Sequence, residues 1–143
     1  MIYPTLSADL EYSLNQGHNK FDKRPLVLAV DDDRDNLELM SQILDLFGCS
    51  CVGTVDGNTT LGAIRDRLPD LILLDIRLPD IDGIELIYQI KQDPKLANIP
   101  IIAVTSLARP EDRDRILLAG CIDYISKPFN LDNLEITIRR HLH

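Results

Sequence analysis

Apolar and polar positions along the chain follow two alternating periods. Residues 26–30 (LVLAV) form an unbroken apolar run, too short for a helix and suited to a strand buried on both faces. Leu37, Met40, Ile43, Leu44 and Phe47 then recur at helical spacing, and Gly48 ends that helix. The same pairing repeats four more times. Residues 49–54 predict a second strand, and Leu61, Ile64 and Leu68 mark a second helix. Residues 71–74 predict the third strand, and Ile84, Ile87 and Tyr88 the helix after the PDIDG turn. Residues 101–104 and 109–120 give the fourth pair. Residues 121–126 give the fifth strand, with Leu131, Leu134, Ile138 and Leu142 facing inward from a final helix. Five strands alternating with five helices specify an α/β fold, a doubly wound parallel sheet with helices on both faces.

Composition narrows the class without changing that picture. The chain has 143 residues, 45% of them hydrophobic and 27% charged, which is one ordinary globular domain. Residues 25–143 make that domain, and residues 1–24 are a polar N-terminal extension. Leu6, Leu10 and Leu14 at spacing four, around Ser7, offer a short amphipathic helix there, but the polar composition favours a mobile segment. No apolar run is long enough for a membrane span, and the N-terminus lacks the basic start and apolar stretch of a signal peptide, so the expected location is cytoplasmic. Cys49, Cys51 and Cys121 lack the spacing and histidine partners of a zinc site and read as core residues.

Charge argues against one class of partner. The chain carries 15 basic and 23 acidic residues, a net charge of −8. In residues 1–24 the signs cancel, so the excess sits on the domain. An acidic body repels phosphate backbones, and direct DNA binding is not expected.

In an open doubly wound sheet, ligands bind outside the carboxyl ends of the strands. The residues at those ends are therefore the ones to inspect. Strand one runs into Asp31, Asp32 and Asp33, and strand three into Asp75. Strand four runs into Thr105 and Ser106, and strand five into Lys127-Pro128. Clustered carboxylates repel unless one is protonated or a cation joins them. Mg²⁺ suits this set, because it prefers oxygen ligands and leaves room for water and phosphate oxygens. Asp32 and Asp75 are the expected direct ligands, with Asp31 orienting a bound water. Asp75 can then act as a nucleophile toward a phosphoryl group, Lys127 can face the phosphoryl oxygens with a compact charge, and Thr105 can donate a hydroxyl hydrogen bond. Taken singly, each residue has a plainer role. Asp33 reads equally as the N-cap of the first helix, and Asp80 and Asp82 as turn residues before Gly83. It is the joint occurrence at four strand ends that favours chemistry.

The motifs VDDD (30–33), LLDIRLPDIDG (73–83), VTS (104–106) and YISKPF (124–129) together resemble the receiver domain of two-component response regulators, over residues 25–143. The resemblance implies a flavodoxin-like (βα)5 fold with strand order 2-1-3-4-5. It implies Asp75 as phospho-acceptor, Asp31 and Asp32 as the acidic pair around Mg²⁺, and the backbone carbonyl of Arg77 as a further metal ligand. Thr105 and Lys127 would be the switch hydroxyl and the conserved-type lysine, Tyr124 the aromatic that changes rotamer, and Lys127-Pro128 a cis peptide. Phosphorylation would repack the face made by helix four, strand five and helix five, which in the family binds partners or dimerises. The implied donor is a sensor histidine kinase or a histidine phosphotransfer protein. No output domain is expected beyond the last helix, so the resemblance is to the stand-alone type, whose output would be a downstream protein effector.

Arg77 and Leu107 stand two residues beyond Asp75 and Thr105, where the family varies and where the lifetime of the aspartyl phosphate is tuned. A bulky Arg77 and an apolar Leu107 are expected to hinder water attack. Other readings remain. An aspartyl-nucleophile Mg²⁺ phosphatase would need a substrate pocket for which the chain has no spare length. A flavodoxin-type binder would need a phosphate cradle where DDDRDN places negative charge. A phosphorylation-independent adaptor would have no use for the acids, Thr105 and Lys127 together.

Overall fold

The computed structural model describes residues 23–106 and 109–142. Its elements are β1 (Leu26–Val30), α1 (Arg34–Leu46), β2 (Ser50–Thr54), α2 (Gly57–Arg67), β3 (Leu71–Asp75), α3 (Gly83–Gln92), β4 (Ile101–Thr105), α4 (Pro110–Ala119), β5 (Asp123–Ser126) and α5 (Leu131–His141). All strand pairings are parallel, in the order β2-β1-β3-β4-β5. This is the flavodoxin-like arrangement that the sequence reading expected. The winding direction reverses where β1 lies beside β3, so a crevice opens at the carboxyl ends of those two strands.

Period-two alternation divides the strand residues between two apolar layers. Leu28, Ile72, Leu74, Ile101 and Ala103 pack on the side of Ile64 in α2, Ile87 and Ile90 in α3, and Ile116 in α4. Val27, Ala29, Leu71, Leu73, Ile102, Val104 and Ile125 pack on the opposite side with Leu37 and Leu44 of α1 and Leu134 and Ile138 of α5. Covering on both faces explains why β1 is apolar throughout and why β3 and β4 are apolar up to their last residues, Asp75 and Thr105. Each fully buried Leu or Ile contributes about 1.5–3 kcal/mol relative to exposure. Cys49, Cys51 and Cys121 are buried free thiols, in keeping with a packing role.

Helix starts account for several of the acids. Asp33 caps α1 through the amides of Asp35 and Asn36, Asp56 caps α2 through Thr59, and Asp82 caps α3 through Ile84. The N-terminus of α5 is capped by Asn130, and α4 begins instead with Pro110. Asp70 clasps the start of β1, accepting from the Leu26 amide at 2.8 Å while its own amide donates to the Leu26 carbonyl.

Some sequence expectations are corrected. Leu68 does not face inward from α2: it is 59% exposed and takes a left-handed conformation, φ 48°, where the helix stops. Pro69 explains this, because the residue before a proline is disfavoured in the helical region. Leu131, expected to face inward, is 52% exposed, and Tyr88, one of the residues that mark the third helix, is 44% exposed. The second strand starts at Ser50 rather than residue 49, and the fifth at Asp123 rather than residue 121. Asp75 and Thr105 are the last residues of β3 and β4 rather than the residues after them. The amphipathic pattern at Leu6, Leu10 and Leu14, and the position of Leu107, lie outside the described residues.

Two glycines separate packing from propensity. A Cβ on Gly83 would lie 2.6 Å from the backbone of Ile76, whose carbonyl accepts the Gly83 amide, whereas one on the helical Gly62 would meet nothing within 4 Å. Gly83→Ala should lower stability by about 1–3 kcal/mol through forced displacement of the β3–α3 loop. Gly62→Ala should raise it by about 0.5–1 kcal/mol. Thermal unfolding of both variants checks the pair, and a stabilised Gly83→Ala would refute the close approach.

Candidate functional site

The crevice at the switch point brings together Asp31, Asp32, Asp75 and Lys127. Asp31 follows β1 and Asp75 ends β3, each continuing the alternation of the layer that holds α1 and α5. Carboxylate oxygens of Asp31, Asp32 and Asp75 all lie within 4.8 Å of one another. Asp75 is 8% exposed and Asp32 is at the surface. None of the three is a helix cap, which distinguishes them from Asp33, Asp56 and Asp82.

Lys127 closes the cluster from the β5 side. Its Nζ is 3.0 Å from Asp75 Oδ2 and 3.4 Å from Asp31 Oδ2. It is held there by its backbone, whose amide donates to the Thr105 carbonyl at 2.8 Å, and a cis peptide joins it to Pro128. Asp75 Oδ1 accepts the Arg77 amide at 2.9 Å. Asp31 is fixed by accepting the Asp33 amide at 2.9 Å and the Asn36 side-chain amide at 3.3 Å.

Charge follows from this geometry. Burial pushes the Asp75 carboxyl above the usual carboxylate range, and the Arg77 amide and Lys127 only partly offset it. Burial also works against the Lys127 ammonium, yet the hydrogen bond to Asp75 and the charges of Asp31 and Asp75 outweigh it and raise its pKa. An anionic site with one lysine is left short of positive charge. The donor set is all oxygen, which suits a hard divalent cation such as Mg²⁺.

Thr105 and Tyr124 lie on the other face of the sheet. Thr105 is 1% exposed and shares the side of Ile101 and Ala103, while Tyr124 packs against that same layer. The guanidinium carbon of Arg113 in α4 sits 5.1 Å from the Tyr124 ring centroid. Ala103, registered with Tyr124, presents only a methyl group beside it.

The sequence profile of the response regulator receiver domain matches residues 27–139. The chain belongs to the response regulator receiver family. As a receiver domain it is 38% identical over 116 residues to the polar-differentiation response regulator DivK of Brucella anthropi, a match covering 81% of this chain and 94% of that protein. A response regulator structure from Chloroflexus aurantiacus superposes with a TM-score of 0.79 at 30% identity, covering 82% of this chain and 97% of the other. The receiver domain of a Pseudomonas aeruginosa sensor histidine kinase, which holds magnesium in its active-site cleft, gives 0.76 at 30% identity, with coverages of 82% and 97%. Receiver domains are signalling switches of two-component systems, and no described helix here is long and apolar enough to cross a membrane.

Two participants of this receiver site escaped the sequence reading. Asn36 steadies Asp31 from the first turn of α1, five residues on, a spacing that places it over the crevice. Asp80 was read as a turn residue, yet its carboxylate accepts the amides of Gly57 and Asn58 at 2.8 and 3.0 Å. Those bonds to the N-terminus of α2 hold the Asp80 carboxyl below the usual range and fasten the loop that carries Arg77.

Because the folded pKa of Asp75 is raised, its carboxylate disfavours the fold as pH rises from 3.8 through that pKa. Asp75→Asn should therefore raise Tm at pH 7 in EDTA. Adding Mg²⁺ should raise the parent's Tm by several degrees, since a hundredfold excess over Kd is worth about 2.7 kcal/mol. Asp75→Asn and Asp32→Asn should lose most of that gain. Thermal scans with and without Mg²⁺ check this, and equal gains in all three proteins would contradict the assignment.

Proposed function

We propose that this chain is a phospho-acceptor switch of a two-component phosphorelay, taking a phosphoryl group on Asp75 from a sensor histidine kinase or a histidine phosphotransfer protein. The observation that carries the reading is the position of Asp75 Oδ2, 3.0 Å from Lys127 Nζ and beside the Asp31–Asp32 pair. Asp31, Asp32, Asp75 and the Arg77 carbonyl would hold Mg²⁺. When bound, that ion supplies positive charge against the carboxylates and the incoming phosphoryl oxygens.

An Asp75 oxygen attacks phosphorus in line. The new O–P bond forms as the N–P bond of the donor phosphohistidine breaks, and the imidazole leaves with the bonding electron pair. Lys127, already shared between Asp31 and Asp75, turns its charge to the phosphoryl group. The product carries close to two negative charges and three acceptor oxygens on a residue that had one charge.

The switch follows from where those oxygens appear. The Thr105 hydroxyl moves to donate to them, and Tyr124 turns inward into the space beside Ala103. That turn gives up the Arg113 stack, a contact worth about 0.5–1 kcal/mol at a partly exposed site. The face of α4, β5 and α5 is then repacked, and a downstream protein effector or a second copy of the chain binds one of its two states. Residues 25–143 form this switch, residues 1–24 form an extension to it, and it works in the cytoplasm without contacting DNA or membrane. It catalyses its own phosphorylation and hydrolysis and turns over no other substrate. Arg77 slows hydrolysis by crowding the side from which water would approach Asp75.

Incubation with acetyl phosphate or phosphoramidate and Mg²⁺ should add the mass of one phosphoryl group to the parent. EDTA and Asp75→Asn should each abolish the gain. After the donor is removed, Arg77→Asn should lose the added mass faster than the parent. Intact mass spectrometry over time reads both effects. A parent that stays unmodified where another receiver is labelled would overturn the phospho-switch, and equal decay rates would overturn the role of Arg77.

A further inference from the structure

On the α1–α5 side, the crevice continues into an apolar groove of about 720 Å³. Leu39, Met40 and Ile43 of α1 line one wall, and Phe129 and Leu131 line the other. Leu39 and Leu131 are 54% and 52% exposed, so two large apolar side chains lie uncovered at its mouth. One end of the groove opens at Asp75 and Lys127. Beyond the C-terminal end of α1, α5 is tied across by Arg139, whose guanidinium donates to the Phe47 carbonyl at 3.2 Å.

The chain enters the domain at that tied end. Arg24 Nη1 pairs with Asp45 Oδ1 at 3.0 Å, which sets the residues just before β1 against the last turn of α1. The preceding segment carries Leu6, Leu10 and Leu14, one residue per helical turn on a single face, with Asp9, Glu11, Ser13 and Asn15 between and after them. Leu14 lies nine residues before Lys23, a span that reaches up to about 30 Å when extended. The β1 strand beneath the groove is five residues long, or about 17 Å. The segment is therefore long enough to run the length of the face. A groove of this volume suits a helix that inserts apolar residues at i, i+4 and i+8.

We propose that the segment bearing Leu6, Leu10 and Leu14 folds back onto its own domain and seats those three leucines in the α1–α5 groove, against Met40, Phe129 and the exposed Leu39 and Leu131.

Met40 makes the seating directly observable, because the chain has only two methionines. The full chain is labelled with ¹³C-methyl methionine and carries Ser13→Cys as the attachment point for a nitroxide. Cys49, Cys51 and Cys121 are buried, and burial pushes the Cys51 and Cys121 thiols up to about 12, so the reagent goes to position 13. The expected result is loss of the Met40 methyl signal when the nitroxide is oxidised and its return on reduction. In Leu6→Ser/Leu10→Ser/Leu14→Ser the signal should persist with the nitroxide oxidised. Undiminished Met40 intensity in the parent would overturn the proposal. So would a loss that occurs only when a nitroxide-bearing chain is mixed with a separately labelled chain, since the occupant would then be a second copy. Failure of Asp75 to accept a phosphoryl group would leave the Met40 result standing, so the two readings fail separately.

Discussion

Three carboxylates converge on one edge of the sheet, and one of them, Asp75, is nearly buried. Two like charges about 4 Å apart repel by about 4 kcal/mol at the effective dielectric typical of protein sites. Left alone, such a cluster would separate or take up a proton. Lys127 holds it together by bridging Asp31 and Asp75, and burial still leaves the Asp75 carboxyl shifted upward. The rest of the site can be read as the means of keeping that strained anion in place. β3 cannot yield, because Leu71 to Leu74 are packed on both faces. Asp31 is tied by Asn36 and by its own turn, and Lys127 is tied through its amide to β4.

The same constraint explains how the acids are divided. Asp33, Asp56 and Asp82 are spent on helix N-termini, where amides and the helix dipole welcome them. Asp80 joins two loops by bonding the first amides of α2. What remains is the trio at the switch point, which Lys127 offsets only in part and whose oxygen donors suit a divalent cation. A site held short of positive charge is sensitive to added negative charge, and that sensitivity is what a switch requires. On the far face Thr105, Ala103 and Tyr124 share one layer, so a change at the carboxyl edge has a packed route toward α4.

Much of this was legible in the sequence. Short apolar runs alternating with helical patterns gave the parallel sheet and the residues at its carboxyl edge, while the strand order rested on the resemblance of the motifs to a receiver domain. Leu68 and Leu131 were misplaced because helical periodicity cannot see a proline-forced stop or a helix end that projects beyond the core. Asp80 was undervalued because its partners, Gly57 and Asn58, are more than twenty residues away and act through backbone amides. The groove between α1 and α5 was not legible at all. It depends on how far two helices stand apart, and no local pattern encodes that distance.

The central claim is that the burial-strained carboxylate of Asp75, and neither Asp31 nor Asp32, is the nucleophile. Borohydride reduces an acyl phosphate to an alcohol, which converts an aspartyl phosphate into homoserine at the same position. Peptide mapping of the phosphorylated, borohydride-treated chain should place homoserine at residue 75 and leave residues 31 and 32 as aspartate. Homoserine at residue 31 or 32, with residue 75 intact, would contradict the account.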